Sequence, residues 1–252
     1  GSRLALAVLR DNDEGVRSVI VDSVLPLNAL SWAQSQQALE AQYTILDTII
    51  ADCEADAACN AAYPDLGEIY QTTFDDLREN PLNGEQDHFT FFSQISQRFS
   101  DSHNVQTVPQ YIYAVYNDRT RLLDPPPIHH IYSSYDGMAL SVSCADGMNG
   151  DMICDTWGVD FDREAAQREV TSQVPTLILN GAYDSITPTF EAELTHDMLP
   201  NSMFFEIPFT THGVIRSGGP CPQSIAFAFL DDPTETPDAS CIETMQARFV
   251  VE

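Results

Sequence analysis

From residue 174 onward the chain alternates between two kinds of segment: VPTLILN at 174–180, PTFEAELTHDML at 188–199, SMFFEIPF at 202–209 and CPQSIAFAFLDD at 221–232. Short runs rich in β-branched and aromatic residues read as strands, and the longer stretches between them read as helices. Strands that alternate with helices of this length pair in parallel through crossovers, so this half of the chain is constrained to an α/β layer arrangement. A third apolar run, VRSVIVD at 16–22, has little polar alternation, which suits a strand covered on both faces. It follows a helix expected over residues 2–12 and a turn over 12–15.

Between these pieces of sheet the pattern changes. Helical spacing dominates from residue 31 to about 80, with Ser31 and Asp65 as expected N-caps and Pro64 and Pro81 as stops. The stretch 88–116 reads as further short helices, and the prolines at 125–127 close the block as a rigid turn. The expected organisation is therefore the start of an α/β core at 1–30, a helical insertion at 31–135 and the rest of the core at 136–252. The chain has no internal repeat and no low-complexity segment.

Charge and cysteines restrict the setting. The formal net charge is −27, and all 11 basic residues are arginines. Such a surface repels nucleic acid and anionic membranes, so neither is an expected partner. No run of about 18 apolar residues suggests a membrane span. The six cysteines fall as three local pairs, Cys53 with Cys59, Cys144 with Cys154 and Cys221 with Cys241. None has zinc-like spacing, so disulfides in an oxidising compartment are expected, although six cysteines allow fifteen connectivities. No cofactor is expected. The histidines do not group as metal ligands either: His129 and His130 are adjacent, and His88, His103 and His196 stand alone.

Two loops carry residues with chemistry, and both sit where a parallel sheet presents its catalytic groups, past the carboxyl ends of strands. NGAYDSITP places Asp184 beyond the strand LILN, and FTTHGVIRSGG places His212 beyond FFEIPF. An acid after one strand and a histidine after the next is the order in which a carboxylate orients an imidazole that activates a serine. The serine itself, in the G-x-S-x-G elbow such enzymes use, is absent. Ser2 lacks the flanking glycines, and Ser217 has no strand before it.

On these motifs the segment from VPTLILNGAYDSITP through LPNS and FTTHGVIRSGG to the last cysteine resembles the C-terminal part of secreted α/β-hydrolase peptidases related to tripeptidyl aminopeptidase and proline iminopeptidase. SYDGMALSVSCADG resembles that family's return from cap to core, and DCEADAACNAAYPDL its cysteine-bracketed cap helix. GSRLALAVLRDNDEGVRSVIVDSVLP is similar to the family's stretch from the last elbow glycine through the following helix and strand. The resemblance implies an α/β-hydrolase fold with an inserted helical cap, and a secreted protein whose signal lies outside this sequence.

The same resemblance implies roles. Asp184 would orient His212, and His212 would act as general base and then general acid. Asp22, which closes the preceding strand, is a rival for the acid. Asp146 would meet the amino terminus of a peptide substrate. The nucleophile would lie two residues before Gly1, so the chain by itself is expected not to turn over and to associate with its missing N-terminal segment or with itself. The leading reading is an exopeptidase that releases short units from free N-termini. An esterase or lipase of the same fold is a second reading. A non-catalytic module is a third, which expects Asp184 and His212 to lie too far apart to hydrogen-bond.

Overall fold

The computed structural model describes residues 1–28, 36–124, 136–146, 151–158 and 162–251. The expected Ser31 cap, the 125–127 turn and the histidine pair at 129–130 lie outside them. Three strands, β1 (Val19–Asp22), β2 (Thr176–Gly181) and β3 (Ser202–Ile207), form one parallel sheet with β2 in the centre. The register pairs Val19 with Thr176 and Asp22 with Leu179 on one side, and Thr176 with Ser202 and Gly181 with Ile207 on the other. The first strand is shorter than the 16–22 run suggested: backbone pairing begins at Val19, and residues 16–18 form the approach to it.

Every residue of β2 is buried, which explains its unbroken apolar run. Its side chains alternate between two cores. Ile178 packs among Leu6 and Leu9 of α1 (Ser2–Asp11), Val21 of β1, and Ala192 of α10, a later helix spanning Thr189–Met198. Leu177 and Leu179 face the other way, onto Ile207, Val214, Ile225 and Phe229. Ile225 and Phe229 belong to α12 (Pro220–Asp231), whose disulfide Cys221–Cys241 ties it to the tail of the chain.

The intervening residues form a helical block with its own interior. Its main helices are α2 (Gln36–Ala55), α3 (Ala57–Ala62), α4 (Leu66–Glu79), α5 (His88–Ser96) and α6 (Val108–Asn117). Ile49, Leu66, Leu77, Phe91, Ile95 and Ile112 are among its fully buried side chains. Asp56 and Asp87 cap α3 and α5 by accepting backbone N–H bonds. Asp65 stands at the N-cap position of α4 with a left-handed backbone, φ 57°; its carbonyl accepts from Ile69 N–H, but its side chain makes no cap bond. Cys53–Cys59 joins α2 to α3, and Cys144–Cys154 joins α7 (Asp136–Ala145) to α8 (Asp151–Trp157), which the short α9 (Arg163–Ala166) follows. All three local cysteine pairs are thus bonded. No helix among the described residues is long and apolar enough to cross a membrane.

Candidate functional site

The site is assembled at the carboxyl ends of β1, β2 and β3. Past β2 the chain turns through residues 182–187, and Asp184 ends up completely buried. Its carboxylate is met by four donor groups: Oδ1 accepts from the backbone N–H groups of Ile186 and Thr187, both at 2.9 Å, Oδ2 accepts from the Thr187 hydroxyl at 2.9 Å, and His212 Nδ1 donates to Oδ2 at 3.0 Å with a longer 3.3 Å contact to Oδ1. A buried carboxylate is tolerated only when its lone pairs are satisfied in this way. Asn180, itself fully buried on β2, donates from Nδ2 to the Thr187 carbonyl at 3.0 Å and so braces the turn from beneath.

His212 follows β3 on a loop that must come close to the end of β2. Gly181 makes this possible, since a Cβ there would stand 2.3 Å from the Thr210 carbonyl oxygen and 2.7 Å from that of Thr211. With Nδ1 directed at Asp184, the hydrogen-bond network assigns the proton to Nδ1 and leaves Nε2 as an acceptor. The imidazole is about a third exposed, and Nε2 has no hydrogen-bond partner among the described residues. An oriented imidazole with an open basic nitrogen can remove a proton from a nucleophile placed against it.

Asp22 reaches the same loop by another route. Its Oδ1 accepts from Val214 N–H at 2.8 Å and its Oδ2 from Ile215 N–H at 3.1 Å, at the start of the short helix α11 (Val214–Ser217). Ser23 beside it accepts from Gly213 N–H at 2.8 Å. Asp22 therefore holds the backbone that follows His212 and makes no bond to the ring.

Asp146 lies in a separate constellation. Its Oδ2 pairs with Arg3 Nε at 2.9 Å, its carbonyl accepts from Arg3 Nη2, and Arg3 also donates to the Pro26 carbonyl at 2.7 Å. These bonds, with the 3.2 Å bond from Leu25 N–H to Ser2 Oγ, seat the first turn of α1 against the loop that leaves β1. Ser217 Oγ bonds the Gly213 carbonyl. Neither Ser2 nor Ser217 meets His212.

Two residues of the site were not singled out from sequence. Thr187 bridges acid and base, since its hydroxyl also lies 3.2 Å from His212 Nδ1; the compact DSITP turn was its visible signal. Glu191, in the first turn of α10, is 2% exposed, and its Oε2 has no partner among the described residues. Burial raises its pKa to about 8, the negative charge of Asp184 adds to the shift, and Arg3 opposes it. Its sequence context, TFEAELTH, reads as an ordinary helix start with a surface acid. Tyr183, next to Asp184, donates to Asp52 of α2 at 2.5 Å and is buried in the interior of the helical block, so burial drives its hydroxyl far above the usual phenol range.

No curated protein matches the chain. The family model described as TAP-like protein matches residues 142–241, which hold Asp184, His212, β2, β3, α10 and α12, and this match supports an α/β-hydrolase-related family for the chain.

Proposed function

We propose that this chain carries the acid and base of a serine hydrolase, with Asp184 orienting His212 and His212 relaying a proton to and from a serine. The observation that carries the reading is the 3.0 Å bond from His212 Nδ1 to a fully buried Asp184, with Nε2 left open. The non-catalytic alternative expects these two groups to stand apart. In this proposal the nucleophile comes from outside the described residues, ahead of Gly1. The seating of α1 against the loop after β1 supports that source: Ser23 of that loop also bonds Gly213, the neighbour of His212. A serine just upstream would therefore belong to the same end of the sheet as the loop that bears His212. It would attack an acyl carbonyl while His212 took its proton, and the imidazolium formed would be stabilised by Asp184 before returning the proton to the leaving group.

The preferred substrate class is peptides with free amino termini, and Asp146 is proposed to help receive the terminal amine, its charge shared with Arg3. The three disulfides and the acidic surface support an extracellular setting. A fluorophosphonate probe tests the hydrolase reading. A longer polypeptide that carries a G-x-S-x-G segment ahead of Gly1 should be labelled on that serine, and His212→Ala should abolish labelling. Labelling that survives His212→Ala would overturn the assignment. Competition between tripeptide p-nitroanilides and p-nitrophenyl esters on the labelled form then separates peptidase from esterase.

A further inference from the structure

Among the described residues, two of the clefts, of about 640 Å³ each, open between the sheet and the helical block, a size that suits a small organic ligand or a few residues of peptide. One lies between α2 and α10 and is lined by Glu40, Glu193, Asp197 and Glu206. That is what a chain with 38 acidic residues should show anywhere on its surface. The other lies between the 102–106 turn, the segment after β3, the start of α12 and the tail at 244–249, and none of its twenty lining residues is Asp or Glu.

This second cleft also contains a guanidinium with no side-chain partner among the described residues, a condition it shares with Arg216 of α11. Arg3, Arg10, Arg78, Arg119, Arg121 and Arg168 are all paired with aspartates. Arg248, exposed in the cleft wall, has no ion pair or hydrogen bond among the described residues. Its backbone is anchored on both sides. Upstream the Cys221–Cys241 disulfide fixes the tail to α12, and downstream Val250 N–H donates to the Gln106 carbonyl at 3.0 Å while its own carbonyl accepts from the Tyr63 hydroxyl at 2.9 Å. Phe209, Met245 and Phe249 supply apolar wall beside it. On a strongly negative molecule an anion is repelled almost everywhere, so a concavity free of carboxylates with a pre-positioned Arg is where a negative ligand is retained. The planar guanidinium matches the two oxygens of a carboxylate.

We propose that this cleft binds a carboxylate borne on an apolar body, with Arg248 as its counter-ion and Phe209, Met245 and Phe249 as its wall. Two sources share this chemistry, the C-terminal carboxylate of a peptide and an acidic side chain. The test uses the 252-residue chain and ligand-observed NMR with three probes: acetyl-Phe-Leu as the free acid, the same dipeptide as its amide, and acetyl-Phe-Glu amide. The free acid should bind about 10-fold more tightly than its amide, as expected for one charge-assisted pair. Raising salt from about 0.05 to 0.5 M should narrow that gap. Arg248→Gln should erase the gap and leave the affinity for the amide in place.

Acetyl-Phe-Glu amide assigns the source. Affinity like that of the acid means that side-chain carboxylates are accepted, and affinity like that of the neutral amide restricts the site to peptide C-termini. Equal binding of acid and amide, a gap that persists in Arg248→Gln, or no saturable binding of any probe would overturn the proposal. Because the readout is binding alone, its failure is distinguishable from failure of the hydrolase reading.

Discussion

β1 and β2 are neighbours in one parallel sheet, and each delivers a carboxylate to the loop that carries His212, yet the two acids act on different parts of it. Asp22 ends its strand directly and meets the backbone N–H groups of Val214 and Ile215. Asp184 stands three residues beyond the end of β2, on a turn, and from there it reaches the imidazole itself. The lesson is that strand-end position brings an acid to the right loop, and the length of the following turn decides whether it touches a side chain or the main chain.

The difference can be broken most directly at Asp184. In the longer, serine-bearing polypeptide proposed above, Asp184→Asn should lower kcat by about 10³–10⁴-fold, because an amide no longer holds the Nδ1–H tautomer or stabilises the imidazolium. Nitrogen chemical shifts of His212 should show the proton redistributed between its two ring nitrogens. A loss below tenfold would remove Asp184 from its role.

Asp22→Asn should cost less, about 10–100-fold in kcat, since the ring keeps its partner while the loop behind it loses one of two accepted bonds. The free energy of unfolding should fall by about 0.5–2 kcal/mol, the range for a lost cap. If Asp22→Asn matched Asp184→Asn, the two acids would not divide the work as described.

Gly181→Ala tests the approach on which both acids depend. Its Cβ would meet backbone oxygens well inside contact distance, so the His212 loop must shift, with a stability loss of about 1–3 kcal/mol measured by denaturant unfolding. Glu191 separates the two strand ends further, because a buried carboxyl lies electrostatically close to Asp184. Its folded value of about 8 is above the ordinary carboxylate value, so the folded state holds more protons than the unfolded chain between about pH 4.5 and 8. The contribution of Glu191 to stability is complete below that window and is lost as pH rises through it. Glu191→Gln should remove this dependence, giving a relative gain of about 1–2 kcal/mol at pH 8 that vanishes near pH 4.5. Parallel pH profiles for the two proteins would refute the assignment.

Much of this layout was legible in the residues. β2 was visible because a strand buried on both faces needs an unbroken apolar run, and its partner β3 because a helix-length segment lies between them. Asp184 and His212 were legible as a pair because consecutive parallel strands end at the same edge. The role of Asp22 was hidden because its partners are some 190 positions away, and nothing local to IVDS points to them. Glu191 was hidden for the opposite reason: its local pattern is complete as a helix start, and only the packing of α10 against the sheet takes it out of water. Asp65 does stand at the N-cap position of α4, but with a left-handed backbone there its side chain makes no cap bond.

Tyr183 has a consequence for how the molecule comes apart. A side chain that begins one residue from Asp184 completes the interior of the helical block and bonds to Asp52 there. Loosening that interior withdraws support from the turn bearing the acid, so packing couples the block to the sheet at this point. Exchanging the helical block for one without a socket for Tyr183 would therefore unmake the acid–histidine pair without altering either residue.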